Sequence, residues 1–207
     1  MSDSLWESGL ATLDCGANDE QVAKLKLYVS LLQRWNKTYN LTAVRDPLEM
    51  IPAHIFDSLV VAPYLEGSNC LDVGSGAGLP GIPLAILQPE RQFTMLDTNG
   101  KKTRFIQQAI IELGLKNASV VQSRIEQWKP PQLFDAIISR AFASIVDFVD
   151  GSAMHLAKNG ALYAMKGQFP ASELAELPDG YVLESQHELK VPSLVGERHL
   201  LKIVAAH

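Results

Sequence analysis

The chain has 207 residues, 47% of them hydrophobic, which is enough to bury one sizeable core and short for two independent ones. No stretch approaches the roughly 18 consecutive apolar residues that span a membrane, and no basic start followed by an apolar run opens the chain, so the expected location is cytoplasmic. Cys15 and Cys70 are the two cysteines and lack CxxC spacing, which argues against a disulfide framework or zinc knuckle; the formal net charge of -5 weighs mildly against a freestanding nucleic-acid binder.

Asn18 with Gln21 three residues later forms a helix-start pattern, and Val22, Leu25, Val29 and Leu32 recur at helical spacing, predicting an amphipathic helix over 19–37. Residues 46–65 read as one or two shorter helices broken by Pro47, Pro52 and Pro63. Together 1–66 form an N-terminal helical appendage. From Cys70 the texture changes to CLDVG, a helix from Pro80, FTMLD, a helix over 100–113, ASVVQ, FDAIIS, a helix over 144–157 and ALYAMKG. Apolar runs alternating with amphipathic stretches imply βαβ units and a parallel sheet covered on both faces. Two strand-like pieces near 181–191 and 198–205, with a short loop containing Gly196 between them, predict a closing antiparallel hairpin. The expected fold is α/β and Rossmann-like, with a mostly parallel seven-stranded sheet in a core over 67–207.

DVGSGAGLPG, Asp72 to Gly81, follows the first strand and precedes a helix. Gly74, Gly76 and Gly78 let the backbone turn tightly and approach a ligand, because no Cβ intervenes. Gly76, Gly78 and Gly81 also satisfy GxGxxG, so a nicotinamide dinucleotide must be weighed against S-adenosylmethionine. Asp97, ending the second strand, can accept hydrogen bonds from an adenosine ribose in either case. Asp72 gives the D-x-G-x-G-x-G form typical of methyltransferases, and the chain lacks room for the second half of a dehydrogenase. S-adenosylmethionine is therefore the expected cofactor, in a class I methyltransferase core.

Ligands of such sheets bind beyond the carboxyl ends of the strands. The third strand ends in SRIEQW, where Ile125 can pack on an adenine face while Glu126, or the backbone beside it, meets the adenine edge. The fourth ends in SRAF, whose Arg140 can hold a methionine carboxylate or an RNA phosphate. Basic residues cluster at Lys24, Lys26, Arg34, Lys37 and Arg45 and again at Lys101, Lys102 and Arg104; either cluster is an RNA face or a solvated helix face. His54, Asp57 and Ser58 share a helix face but lack an oxyanion hole and make a poor metal site; His54 reads as a structural hydrogen-bonding residue, and no metal is expected.

Several stretches together resemble one family. RWNKTYNLTAVRD at 34–46, HIFDSL at 54–59, DVGSGAGLPGIPLAI at 72–86, LDTNGKKTRF at 96–105, SRIE at 123–126, ISRAFAS at 138–144, MKG at 165–167 and GERHL at 196–200 resemble the bacterial 16S ribosomal RNA guanine-N7 methyltransferases called RsmG or GidB. The glycine loop is common to many methyltransferases; NLTA, SRAF and GERHL are specific to this family. The resemblance implies cofactor contacts at Gly74, Leu79, Ile125, Glu126 and Arg140, and a target guanine at position 527 of 16S RNA, reached in the small ribosomal subunit or a precursor.

The residue chemistry points the same way through what is missing. No D/N-P-P-Y/F element ends the fourth strand, as exocyclic adenine methylation requires, and neither cysteine is placed as the nucleophile of a cytosine C5 enzyme. Guanine N7 presents a lone pair and no proton, so its methylation needs alignment and exclusion of water but no general base. Arg140 and Arg124 are the candidate catalytic residues, as groups that align the RNA through a phosphate or O6. A small-molecule methyltransferase would favour an apolar lid over the Arg/Lys/Asn-rich 34–46 stretch; a cofactor sensor without catalysis and a nicotinamide oxidoreductase are the remaining alternatives.

Overall fold

The computed structural model describes residues 2–140 and 142–206. Ala141, inside the SRAF stretch, lies outside the described residues.

Helix α1 (Ser2–Leu13) precedes α2 (Asp19–Tyr39), which extends beyond the expected 19–37. Asn18 caps α2 through the amide of Gln21 at 2.9 Å, and the Gln21 side chain returns the bond to the Asn18 amide at 3.0 Å. Gln21 also reaches across the molecule, donating to the carbonyls of Ile86 and Leu87 at 3.1 and 3.0 Å. One side chain thus organises the start of one helix and the end of another. At the far end Asn40 terminates α2 in the left-handed conformation (φ 51°), and buried Asn36 folds the next loop by bonding Thr42 and Val44.

The 46–65 segment departs from expectation. Asp46 caps the short helix α3 (Pro47–Met50), but the chain does not break at Pro52. It continues through a π-helical turn (Ile51–Phe56) into α4 (Asp57–Leu59). Pro52 lies inside this continuous run, at the start of its π-helical piece, where the hydrogen-bonding pattern departs from the α-helical one that proline interrupts. Only near Pro63, in a short 3-10 turn (Ala62–Tyr64), does the helical run end.

The core sheet contains β1 (Asn69–Val73), β2 (Gln92–Asp97), β3 (Ala118–Gln122), β4 (Phe134–Ser139), β5 (Leu156–Lys166), β6 (Tyr181–Glu188) and β7 (His199–Ala205), in the order β3-β2-β1-β4-β5-β7-β6. β1 to β5 run parallel, and β7 is antiparallel to both β5 and β6. Helices α5 (Gly81–Leu87), α6 (Gly100–Leu113), α7 (Ile145–Ser152) and α8 (Ala171–Ala175) connect the strands. The expected helix over 144–157 is shorter, because its end tightens into a 3-10 turn (Ala153–His155) and Leu156 already pairs with Phe134. The hairpin of β6 and β7 is present, but its connection runs over 189–198 and is not short.

The sheet buries apolar side chains on both faces. On one face, Leu71, Ile137, Phe148 and Leu201 form a cluster with α7. On the other, Met95 and Phe105 share a cluster with Trp6, Leu25, Tyr28 and Phe56, so the N-terminal helices cover that face and have no separate core. Trp6 meets Phe56 edge-on at 5.8 Å and Tyr28 lies 6.1 Å from Phe105. Strand order reverses between β1, which continues to β2, and β4 on its other side. A crevice opens at their carboxyl ends, where such sheets hold ligands.

Candidate active site

The glycine loop leaves β1 at Val73 and is held on several sides. Gly74 and Ser75 donate their amides to the Leu96 carbonyl at 2.8 and 3.1 Å, and Gly76 donates to Asp97 Oδ2 at 2.8 Å. Gly74 and Gly76 have φ of 70° and 59°, and ideal Cβ atoms there would meet almost nothing: no atom within 4 Å at Gly74 and one carbonyl at 4.0 Å at Gly76. Their bare backbone faces open space. Gly78, at φ 86°, is different, since a Cβ would stand 2.6 Å from Ile82 Cγ1. Its missing side chain makes room for α5, and it lines neither cavity described below.

Two interactions hidden in the sequence brace this loop. Asp72 is fully buried and accepts the Gly81 amide at 2.9 Å, pinning the start of α5 to the end of β1. Burial raises its carboxyl to about 7, the Gly81 amide opposing the shift, and its Oδ1 makes no hydrogen bond. From α2, the buried Tyr28 hydroxyl donates to the Ala77 carbonyl at 2.6 Å. Helical periodicity marks Tyr28 only as a core residue; nothing in its spacing reveals the loop contact.

The crevice holds a cavity of ≈ 260 Å³ lined by Gly74, Leu96, Asp97, Arg124, Ile125 and Glu126, with Phe142 at its wall. Asp97 Oδ1 accepts the Asn99 amide at 2.8 Å, so each of its oxygens already holds one backbone N–H and retains a further lone pair. Ile125 is buried, and its carbonyl bonds His155 Nε2 at 2.8 Å, which fixes the short turn carrying Glu126. Arg124 and Glu126 are exposed at the rim. Beside this cavity lies a smaller one of ≈ 190 Å³, shared by Gly74, Gly76, Leu79, Thr42, Lys102 and Arg140. The expected residues Gly74, Asp97, Ile125, Glu126 and Arg124 therefore converge on one cavity; Gly76, Leu79 and Arg140 converge on its neighbour.

Arg140 is held from outside the sheet. Its Nη1 donates to the Ala53 carbonyl and to Asp57 Oδ2, both at 3.3 Å, and Arg198 Nε donates to Asp57 Oδ1 at 3.1 Å. Asp57 is buried between the two guanidinium groups. His54, one turn earlier, bonds Thr42 Oγ1 through Nε2 at 2.8 Å, which matches its expected structural part. Burial, reinforced by the Arg140 charge, lowers its imidazole to about 4, so it is neutral at pH 7. Spacing placed Lys102 in a basic cluster and Asp57 on a helix face with His54, but it disclosed neither the link of Asp57 to Arg140 and Arg198 nor Thr42 beside the glycine loop. MKG and GERHL pointed toward this region only through the resemblance.

A family model described as GidB, rRNA small subunit methyltransferase G, matches residues 21–201. The chain belongs to the rRNA small subunit methyltransferase G family. Its relatives include the ribosomal RNA small subunit methyltransferase G of Nitrosococcus oceani, 50% identical over 204 residues, covering 98% of this chain and 95% of that one. That of Salmonella agona is 51% identical over 194 residues, 94% of each. Among solved structures, the glycopeptide N-methyltransferase MtfA complexed with S-adenosyl-L-homocysteine superposes with a TM-score of 0.62 at 11% identity, over 74% of this chain and 87% of that one. The ribosomal protein L11 methylase of Lactobacillus delbrueckii subsp. bulgaricus gives 0.57 at 15% identity, over 73% and 77%. These likenesses establish the class I S-adenosylmethionine-dependent methyltransferase fold. Membership of the small subunit methyltransferase G family removes the nicotinamide alternative and makes the chain an rRNA methyltransferase.

Proposed function

We propose that this protein transfers a methyl group from S-adenosylmethionine to N7 of the guanine at position 527 of 16S ribosomal RNA, within the small ribosomal subunit or a precursor of it, in the cytoplasm. The observation that carries the reading is the cavity at the carboxyl ends of the strands, where Gly74 of the glycine loop, Asp97 and Ile125 meet. Of the titratable groups lining it, Asp97 is committed to two backbone amides and Glu126 lies at the exposed rim.

The cavity suits the methyl donor. The Asp97 carboxylate has lone pairs left for ribose hydroxyls, Ile125 and Leu96 offer an apolar wall to the adenine, and Glu126 stands where an adenine edge would lie. Gly74 and Gly76 leave bare backbone beside the neighbouring cavity, where Arg140 can meet a carboxylate. When bound, S-adenosylmethionine supplies an electrophilic methyl on a sulfonium, which a lone-pair nucleophile can take directly. Guanine N7 has that lone pair and no proton to lose, so the protein's task is to align the base and exclude water. Arg140 and Arg124 flank the crevice and serve alignment through a phosphate or O6, since a donor placed on N7 would block it. Basic residues of the 1–66 appendage and the Lys101, Lys102 and Arg104 cluster add to the RNA face, with the 67–207 core holding the donor.

The test is methylation of small ribosomal subunits by the purified protein with isotope-labelled S-adenosylmethionine, followed by mass spectrometry of 16S fragments. Label at N7 of a single guanine, at position 527, is expected. Label at another atom or on another RNA would refute the assignment.

A further inference from the structure

Outside the donor cavity, a second cavity of ≈ 370 Å³ opens between the π-helical turn, the end of β5 and the 189–198 connection. Arg140, Arg198, Lys166, His54 and His199 line it, with Asp57 as the carboxylate in its wall. On a chain of net charge -5 the cations Arg140, Arg198 and Lys166 are a local concentration, with neutral His54 among them. We propose that this cavity binds a backbone phosphate of the RNA beside the target guanine, with Asp57 positioning Arg140 and Arg198 as a pair. The inference rests on the proposed RNA substrate and adds to it the place where the strand is gripped.

Three observations carry it. Asp57 uses one oxygen for each arginine, at 3.3 and 3.1 Å, so two guanidinium groups from distant parts of the chain are fixed side by side. One carboxylate offsets only one of the two charges. Among the described residues both arginines keep further N–H donors: Arg198 commits Nε to Asp57 and Nη1 to the Glu197 carbonyl at 2.7 Å, and Arg140 commits Nη1 alone. A planar fork with spare donors suits a phosphate oxygen pair. Second, His54 is only 6% exposed and lines the cavity, and among the described residues its Nδ1 has no hydrogen-bond partner. Third, Arg140 lines both this cavity and the one at the glycine loop, so a phosphate held here lies one residue's reach from the place of methyl transfer. Lys166 adds charge, although Glu173 holds it at 2.8 Å.

The test is Arg198→Gln, with Arg198→Lys beside it, assayed on small ribosomal subunits over a range of salt. Arg198 is partly exposed and its loss leaves Asp57 paired with Arg140, so the fold has little at stake; circular dichroism checks it. Arg198→Gln is expected to raise the KM for RNA about tenfold and to flatten the dependence of log(kcat/KM) on log salt by roughly 0.7, the share of one single-strand phosphate contact. Affinity for S-adenosylmethionine by calorimetry should stay within about twofold, and Arg198→Lys should keep the parental salt slope. Weaker cofactor binding with an unchanged RNA KM would assign the cavity to the cofactor and overturn the proposal. A parent that methylates small-subunit RNA while Arg198→Gln keeps its KM and slope overturns this site alone. A parent that methylates no RNA overturns the proposed function and this site with it.

Discussion

Asp97 and Asp72 end neighbouring strands, and their surroundings give them opposite work. Asp97 sits at the cavity, with two backbone amides at 2.8 Å. Replacing it by alanine removes acceptors for the ribose and also releases the Gly76 amide. At roughly 1.5–3 kcal/mol for a hydrogen bond to a charged group, Asp97→Ala should weaken S-adenosylmethionine binding by about 10- to 100-fold in calorimetry. An unchanged affinity would remove it from the site.

Asp72 lines none of the cavities described above, and burial sets its titration. Its folded value, raised to about 7, exceeds the ordinary carboxylate value of 3.8, so between those limits the folded state holds a proton that the unfolded state has lost. Asp72 therefore removes stability as pH rises through that window, and the full cost is present above it. His54, lowered to about 4, acts in the other direction and removes stability as pH falls below about 6.5. Asp72→Asn keeps an acceptor for Gly81 and leaves His54 alone. Its melting temperature relative to the parent should rise from pH 5 to pH 8. A difference independent of pH would show that Asp72 does not titrate in this way.

At the scale of elements, the glycine loop separates into residues with open space beside them and one whose missing side chain serves packing. A Cβ at Gly76 points into open space, whereas one at Gly78 collides with Ile82. Both have positive φ, which costs a non-glycine residue about 1–2 kcal/mol. Gly76→Ala should accordingly lower S-adenosylmethionine affinity more than stability, and Gly78→Ala should lower the melting temperature more severely. The reverse ranking would mean that Gly76 is there for the turn only. The brace from α2 is testable in the same way. Tyr28→Phe strands the Ala77 carbonyl and should cost about 1–3 kcal/mol in denaturant unfolding, with weaker cofactor binding as the loop loosens.

These elements also show what is legible in the chain and what is not. Strands such as FDAIIS and the helix at 100–113 could be read because their signals are local, apolar runs alternating with amphipathic stretches; the structure adds Asn99 and Gly114 as the caps of that helix. The glycine loop and Asp97 were legible for the same reason, since their motif is compact. The π-helical turn was not, because proline at 52 predicts a break and nothing local signals the change of helical pattern that carries the chain past it. Asp57 and Arg198 are 141 residues apart, and no periodicity joins them. His54, Asp57 and Ser58 could be seen to share a face, but their partners across the cavity could not.

For the whole molecule, charge placement matters more than its sum. Arg34 is paired with Glu112 at 3.1 Å but remains 65% exposed, and Lys37 is exposed on the same helix. An exposed pair of this kind contributes at most about 1 kcal/mol to stability, so reversing both charges should leave a folded protein. Arg34→Glu with Lys37→Glu should raise the KM for RNA and flatten the salt slope while cofactor affinity stays constant. Parental kinetics at every salt concentration would make this stretch a solvated helix face and leave RNA recognition to the cavity around Arg140 and Arg198.

The central claim is an atom on one nucleotide, and it can be read directly from cells. Expressed in a bacterium lacking its own activity at this position, the chain should restore a single methyl group on N7 of guanine 527, seen by mass spectrometry of 16S RNA fragments, and Arg140→Ala should restore little or none. An unmodified guanine 527 in cells that contain the folded protein would contradict the account.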